Sequence, residues 1–147
     1  MNESRIRTIA LGIFLHEDRL LVFRGDDPAR DVVFYRPLGG GIEFGERSAD
    51  AFVREMREEL GAEVTGIRYL GMIENIFAHA GKRGHEYVLL YAARFTDPTF
   101  YTRQAWTGDD NGLPIPVLWK PLADFRNGDL LVPRELLAFL DQHDCSA

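Results

Sequence analysis

The stretch that decides the fold reads GGIEFGERSADAFVREMREELGA and runs from Gly40 to Ala62. Its second half is helical in pattern, because the apolar residues recur on one helix face at Ala49, Phe52, Val53, Met56 and Leu60. We therefore expect a helix from Ser48 to Leu60, with Ser48 as its N-cap. Gly61 follows at the position where many helices end with a positive φ.

Three carboxylates crowd the helix beside that apolar face. At about 100° per residue, Glu55, Glu58 and Glu59 fall within an arc of roughly 100°. Like charges one turn apart weaken a helix slightly, whereas clustered carboxylate oxygens are the ligands that Mg²⁺ prefers. For this segment taken alone, a solvated helix with local ion pairs, such as Arg54 with Glu58, is the simpler interpretation.

The residues before the helix also have a structural interpretation when each is taken alone. The glycines from Gly39 to Gly41 would let the backbone approach a ligand, but they would equally suit a tight connection. Glu46, just before the helix, would interact favourably with the helix dipole. None of these features points to chemistry by itself.

Their joint spacing is far more specific. It follows the pattern G-x5-E-x7-R-E-U-x-E-E-x-G-U, where U is a bulky aliphatic residue, at Gly40, Glu46, Arg54, Glu55, Met56, Glu58, Glu59, Gly61 and Ala62. This segment resembles the Nudix box, and the chain is on that ground similar to Nudix hydrolases. Ala62 is smaller than the usual last residue. The order RPLGGG over residues 36–41 also differs from the commoner leucine, proline, glycine.

The flanking sequence fits the fold that this resemblance implies: α/β, a Nudix-like α/β/α sandwich with a mixed β-sheet, in one domain over residues 1–147. The first strand carries apolar residues on both faces and should be covered on both sides, with the next strand as its hairpin partner. A closing helix is expected from Pro133 to Asp141, with Pro133 at its first position. Strands are expected at Arg5–Leu15, Leu20–Arg24, Val32–Leu38, Glu63–Ile76, Glu86–Phe95 and Val117–Lys120, and loops or irregular segments at Gly25–Asp31, Ala78–Gly84 and Asp97–Pro114.

The resemblance implies a Mg²⁺-dependent pyrophosphohydrolase, with Mn²⁺ as a second suitable ion. Such an enzyme cleaves a nucleoside diphosphate linked to another moiety by attack of an activated water on phosphorus. The implied roles are metal-ligand oxygens from Glu55, Glu58, Glu59 and the Gly39 carbonyl, a catalytic and orienting role for Arg54, and structural support of the box by Glu46 and Gly61.

The carboxylate that accepts the proton of the water is left open by the resemblance, since family members differ at this point. Glu55 and Glu58 could serve. Glu86 could also serve, because it starts a strong strand opposite a glycine-bounded loop, although it could equally be a solvated strand end. Glu74 and His79 are weaker candidates.

Phosphate contacts are expected from the two arginines that flank the segment before the box, Arg24 and Arg36. In the simpler interpretation, both are surface residues only. The backbone of Gly40 and Gly41 is expected to contact substrate as well. Four aromatic residues could stack on a base, although aromatic residues at strand positions are more often part of the core: Phe23, Tyr35, Phe77 and Trp106. Trp119 is expected to pack in the core.

Bulk composition narrows the class of partner. The chain has 147 residues, a net charge of −6 and one cysteine, Cys145, which we expect to be an exposed thiol in the tail. An acidic chain has no general attraction for nucleic acid or anionic membrane, so a small-molecule nucleoside diphosphate derivative is the expected partner. The cysteine count and the absence of a recognisable targeting segment favour the cytoplasm. A homodimer is compatible with the resemblance.

Two other functions remain open at this stage. A Nudix-fold nucleotide sensor without turnover would bind the same ligands, but it would not need three crowded carboxylates. A diphosphate isomerase on the same fold would be supported by a cysteine near the box, and the chain has its cysteine only in the tail.

Overall fold

The computed structural model describes residues 4–147 and divides the described chain into two sheets and three α-helices. The strands are β1 (Ile6–Ile13), β2 (Leu15–His16), β3 (Arg19–Asp27), β4 (Val32–Arg36), β5 (Gly39–Gly41), β6 (Val64–His79), β7 (Lys82–Phe95), β8 (Ala105–Asp110) and β9 (Leu113–Pro121). The helices are α1 (Ser48–Leu60), α2 (Leu122–Arg126) and α3 (Leu136–Gln142), and a 3-10 turn spans Pro98–Tyr101.

The larger layers confirm the predicted α/β/α sandwich with a mixed sheet. The first sheet has the order β5-β1-β7-β6, in which β1 and β7 are parallel and the other neighbours antiparallel. The second has the order β2-β3-β9-β8, with β4 on β3. Helix α1 packs on one side through Phe52 and Met56, whereas α2 and α3 pack on the other through Phe125 and Leu136.

The predicted hairpin, in which the first strand pairs with the next strand along the chain, is wrong. Strand β1 lies between β5 and β7, as its two apolar faces require, and has no free edge for β3. The partner of β3 is instead the short β2, joined to it by a tight turn at Glu17 and Asp18, both with positive φ. The chain passes from one sheet to the other at Phe14, which is buried and stacks on Phe95 at 4.2 Å.

Two predicted loops are partly strand. The polar stretch Gly25–Asp31 continues β3 as far as Asp27, which is buried and accepts hydrogen bonds from the Ala29 N–H, the Arg30 Nε–H and the Ala80 N–H. Its polarity therefore reflects a carboxylate that caps two turns. In the stretch Ala78–Gly84, only residues 80 and 81 form a turn, with positive φ at both, and this turn joins β6 to β7. The other residues of the stretch belong to these two strands.

The irregular segment predicted from Asp97 to Pro114 contains strand β8, which pairs with β9 along its whole length. Its acidic residues and glycine suppress the alternating pattern that identifies strands, so pairing in the tertiary structure decides the outcome. Strand β9 is correspondingly longer than the predicted Val117–Lys120. Trp119, on β9, is buried as expected and donates its indole N–H to the Phe100 carbonyl at 2.9 Å.

The helix predicted from Ser48 to Leu60 is confirmed, and Gly61 ends it with φ 63°. Ser48 is not the N-cap, however. That position is Arg47, which makes no side-chain capping bond, and the Ser48 hydroxyl pairs with Tyr91 instead. The closing helix begins at Leu136 and not at Pro133.

The tail thiol was expected to be exposed, and this expectation is wrong. Cys145 is buried and belongs to the apolar cluster that also contains Leu136 of α3. In the described part of the chain, no helix is long and apolar enough to cross a membrane.

The packing of Phe14, where the chain passes from one sheet to the other, can be tested by substitution. Because its ring is buried and stacks on Phe95, Phe14→Ala should lower the free energy of unfolding by about 3 to 5 kcal/mol. The control is Phe44→Ala, which removes a fully exposed ring and should change it by less than about 0.5 kcal/mol. Urea denaturation measures both, and similar losses in the two variants would contradict the packing described.

Candidate active site

Helix α1 directs three carboxylates toward the seam between the two sheets. Phe52 and Met56 are fully buried under the helix, so the 3.6-residue period turns the neighbouring glutamates to its flank. The exposed fraction of the side chain rises from 15% for Glu55 to 54% for Glu58, while Glu59 as a residue is only 6% exposed. The three predicted ligands therefore differ in environment, from buried to solvent-facing.

Glu59 is the most buried of the three. Its Oε1 accepts a hydrogen bond from the Gly39 N–H at 2.8 Å, which ties the end of the helix to strand β5. Burial raises its pKa to about 8, and the nearby carboxylates of Glu55 and Asp110 act in the same direction, against Arg36 and the Gly39 N–H. The charged form of Glu59 is therefore disfavoured at this position in the absence of a cation.

Glu55 lies flat against the glycine run. A Cβ placed on Gly40 would be 2.6 Å from the Glu55 carboxylate oxygen, so only glycine leaves room for that side chain. Burial raises the pKa of Glu55, and the Arg54 guanidinium opposes this shift. The glycine predicted to contact substrate therefore also seats a carboxylate.

Arg54 is the hub that connects the loop to the helix. Its guanidinium donates to both Glu46 oxygens at 2.8 and 2.9 Å and to the Gly41 carbonyl at 3.0 Å. Its remaining nitrogen, Nη1, lies 3.1 Å from Glu55 and 3.2 Å from Glu58. Hydrogen bonds from Arg54 hold the pKa of Glu46 near 2, and the same bonds raise the pKa of Arg54.

The turn between β8 and β9 brings further acidic residues that the sequence did not single out. Asp109, Asp110 and Asn111 join the three glutamates around a cavity of about 230 Å³. Strand β8 comes close to the helix because Gly108 lies against the Glu59 carbonyl, where a Cβ would be 3.0 Å away. In the sequence, this turn is the polar run GDDNG, which lies within the segment predicted to be irregular.

The donor set of this acidic cavity fits a hard divalent cation. All its side-chain donors are carboxylate or amide oxygens, and Arg54 already places positive charge between Glu55 and Glu58. Within residues 4–147, no three acidic, histidine or cysteine side chains are arranged around a single point as metal ligands. Binding a cation would therefore require the glutamates to turn away from Arg54.

A second cavity, of about 320 Å³, lies next to the acidic one and has a different lining. Phe23, Phe34 and Phe77 supply aromatic walls. Arg36 borders it, with its guanidinium over the Phe23 ring at 5.0 Å and its Nη2 donating to the Gly39 carbonyl at 3.3 Å. We call this space the aromatic cavity.

Arg36 of the aromatic cavity is connected to Glu59 of the acidic cavity through Gly39, whose carbonyl accepts from Arg36 and whose N–H donates to Glu59. Its burial lowers its pKa, whereas the charges of Glu59, Glu86 and Asp110 act in the opposite direction. Among the described residues its Nε–H is buried without a hydrogen-bond acceptor. Such an unused donor between a carboxylate cluster and an aromatic cavity is suited to an anionic ligand that spans both.

The other predicted substrate residues lie elsewhere. Arg24 alternates with Phe23 along β3 and so projects from the opposite face of the strand, where it is half exposed and 3.9 Å from Asp26. Tyr35 shares that face and packs on Phe125. Trp106 packs on Phe100 in the core beside α1, so only Phe23 and Phe77 of the predicted stacking residues reach the aromatic cavity.

The predicted proton acceptors also lie in different parts of the structure. Glu55 and Glu58 border the acidic cavity, whereas Glu86 is buried in the wall of the aromatic cavity. Glu74 is exposed, and its Oε2 lies 2.8 Å from the His85 Nε2. His79 also lines the aromatic cavity, edge-on to Phe34.

Comparison with known proteins agrees with this geometry. NAD-capped RNA hydrolase NudC of Pseudomonas putida (strain W619) is 47% identical over 58 residues, which are 35% of this chain and 21% of that protein. The chain thus spans about a fifth of that curated relative. The solved E. coli ORF135 protein has a TM-score of 0.62 at 18% identity, covering 94% of this chain and 88% of that one. A MutT NUDIX hydrolase from Burkholderia pseudomallei has 0.60 at 20% identity, covering 93% and 98%.

At these identities the solved structures show a common fold. The family model for the NUDIX domain matches residues 6–125, which include the whole of Gly40–Ala62 and every residue of the acidic cavity. The chain therefore belongs to the NUDIX domain family.

Proposed function

We propose that the protein hydrolyses the pyrophosphate linkage of a small-molecule nucleoside diphosphate derivative, with Mg²⁺ as its cofactor and Mn²⁺ as an alternative. The observation that carries this proposal is the hydrogen-bonded connection from Arg36 of the aromatic cavity through Gly39 to Glu59 of the acidic cavity. The acidic cavity suits a cation and phosphates, and the aromatic cavity suits a nucleoside. The named activity of the NudC relative, on NAD-capped RNA, belongs to the same class of linkage.

The cation would be held by Glu55, Glu58 and Glu59, with the Gly39 carbonyl as a further oxygen. When bound, it supplies positive charge against the phosphoryl oxygens and makes the attacking water more acidic. Without a cation, the Gly39 N–H holds Glu59 and Arg54 holds the other two glutamates, which would exchange Arg54 for the cation on binding.

In the proposed reaction, the oxygen of a water forms a bond to phosphorus while the bridging P–O bond breaks. The bridging oxygen leaves with the second phosphate, and one proton of the water passes to a carboxylate. We assign the acceptor to Glu55 or Glu58, because both border the acidic cavity. Glu86 is left out of this role, since it lies in the wall of the aromatic cavity.

Substrate contacts are proposed for Arg36 and for the backbone of Gly40 and Gly41. Arg36 has an unused donor and stands between the cavities, so it would pair with a phosphate. Arg24 is left out, since it projects from the other face of β3.

Glu58→Gln tests turnover. The substitution removes a carboxylate that is half exposed and makes no contact with the core, so the fold should persist. Phosphate or nucleotide release from a panel of nucleoside diphosphate derivatives should fall by about 10²- to 10⁴-fold. Chelation of Mg²⁺ should abolish the activity of the wild type, and added Mg²⁺ or Mn²⁺ should restore it.

The matched control is Glu63→Gln, which changes an exposed glutamate that pairs with Arg57 outside both cavities. It should keep wild-type turnover. Equal turnover in Glu58→Gln and the wild type, or turnover that survives chelation, would overturn the metal-dependent hydrolase. Nucleotide binding without turnover on any substrate would instead identify a sensor.

Glu46 is proposed to hold the loop to the helix through Arg54, and acid should weaken this link. Its pKa is lowered from 4.5 to about 2, so the stability it contributes is fully present above pH 4.5 and is lost as the pH falls through about 2. The difference in free energy of unfolding between the wild type and Glu46→Gln should therefore shrink over that interval. Chemical denaturation at successive pH values measures it.

Glu43→Gln is the control for Glu46, since Glu43 is exposed in the same loop and contacts Glu46 through its backbone N–H and carbonyl and not through its side chain. Its difference from the wild type should change little with pH. A constant difference for Glu46→Gln across the same interval would contradict the role of the Arg54 pair.

A further inference from the structure

A row of three polar residues crosses the floor of the aromatic cavity. Arg7 on β1 is the register partner of Glu86 on β7, and Glu86 is in turn the partner of Asn75 on β6. Partners in neighbouring strands project to the same side of a sheet, and all three residues line the aromatic cavity. The next row on the same side is apolar, with Ile9, Val88 and Ile73.

Glu86 is buried, and its polar contacts to other described residues are few and long. Its side chain is 7% exposed, and Asn75 is 8% exposed. Its two oxygens offer about four acceptor positions. Within residues 4–147, its polar neighbours are the Asn75 Nδ2 at 3.5 Å, which is a long hydrogen bond, and the Arg7 Nη1 at 3.9 Å. Glu86 can therefore accept hydrogen bonds from a ligand in the cavity.

The walls above this row suit a flat ring. Phe77 lies directly on the backbone of Gly84, and Phe34 lies on Gly25; in each case a Cβ on the glycine would be 2.3 Å from the aromatic ring. Both glycines thus let a ring lie against the strand. A nucleobase presents its faces to such rings, while its edge is free to meet the polar row.

Resting on the proposed function, we propose that Glu86 and Asn75 read the base of the substrate and select guanine. Guanine carries two adjacent donors, N1–H and the N2 amino group, which match the two oxygens of one carboxylate. Its O6 lies beside N1 and can accept from the Asn75 amide. Adenine and cytosine place a ring-nitrogen acceptor next to their amino group, and uracil has a single ring donor between two carbonyls.

The position of Arg7 agrees with this orientation. Its Nη2 would lie 3.6 Å from a Cβ on Gly41, while its Nη1 faces Glu86. The guanidinium therefore lies between Gly41 of the box and the carboxylate proposed to read the base. With guanine on Glu86, the phosphates would extend toward Arg7 and Arg36 and then to the acidic cavity. One ligand would thereby occupy both cavities.

The experiment compares GMP, IMP and AMP as ligands of the metal-free protein by calorimetry. IMP differs from GMP only by lacking the N2 amino group, so it isolates one of the two donors. The wild type should bind GMP about tenfold or more tightly than IMP, as expected for one hydrogen bond to a buried charge, and more tightly still than AMP. Since all three share the ribose, a preference cannot come from its hydroxyls.

Glu86→Gln should bring the affinities for GMP and IMP to within about threefold, because an amide cannot accept from both donors. Asn75→Ala should weaken GMP and IMP together and keep their ratio, since both carry O6. The control Glu63→Gln should match the wild type throughout. Thermal unfolding of each variant verifies that the fold is intact.

Hydrolysis of GTP, ITP and ATP with Mg²⁺ separates this inference from the proposed function. Turnover without preference for guanine, or a preference that Glu86→Gln leaves intact, would overturn the role of Glu86 and leave the hydrolase standing. A uniform loss of kcat for all three nucleotides in Glu86→Gln would overturn it too, since a proton acceptor acts on every base alike. Selective GMP binding without turnover would support it while the hydrolase fails.

Discussion

The burial of one face of α1 is the constraint on which the site depends. Phe52 and Met56 have no exposed surface, so the helix cannot rotate about its axis without breaking the core. Apolar packing thereby sets the direction of Glu55, Glu58 and Glu59, and contacts among the charged groups are not needed to set it. The repulsion between these carboxylates is met by Arg54 on the same helix, which also fastens the helix to the loop through Glu46.

Charge is distributed very unevenly over this acidic chain. The acidic cavity gathers five carboxylates, while the arginines that face the ligand side stand at its border with the aromatic cavity. With a net charge of −6, the protein as a whole repels a polyphosphate, so binding under the proposed function would rely on local positive charge, from the arginines of the aromatic cavity and from a bound cation.

The aromatic cavity adds selectivity to a site whose chemistry is confined to the box. The register of β1, β7 and β6 places Arg7, Glu86 and Asn75 side by side, although they are remote in sequence. The carboxylate of Glu86 has only long contacts to Asn75 and Arg7, so under the proposal a ligand with the right donors would add to its hydrogen bonds. Specificity would thus rest on a group that takes no part in the proton transfer, which separates the recognition of the base from the cleavage of the phosphate.

Local spacing by itself determined the helix Ser48–Leu60, its end at Gly61 and the family, because helical period and motif spacing are properties of neighbouring residues. Strand existence was also readable where side chains alternate, as in β7. What only the tertiary structure decided were contacts between distant segments: the partner of β1, the strand β8 that brings Asp109 and Asp110 to the helix, and the burial of Cys145. Such contacts depend on which strand edges and faces remain free after the chain has packed, and no local pattern encodes that.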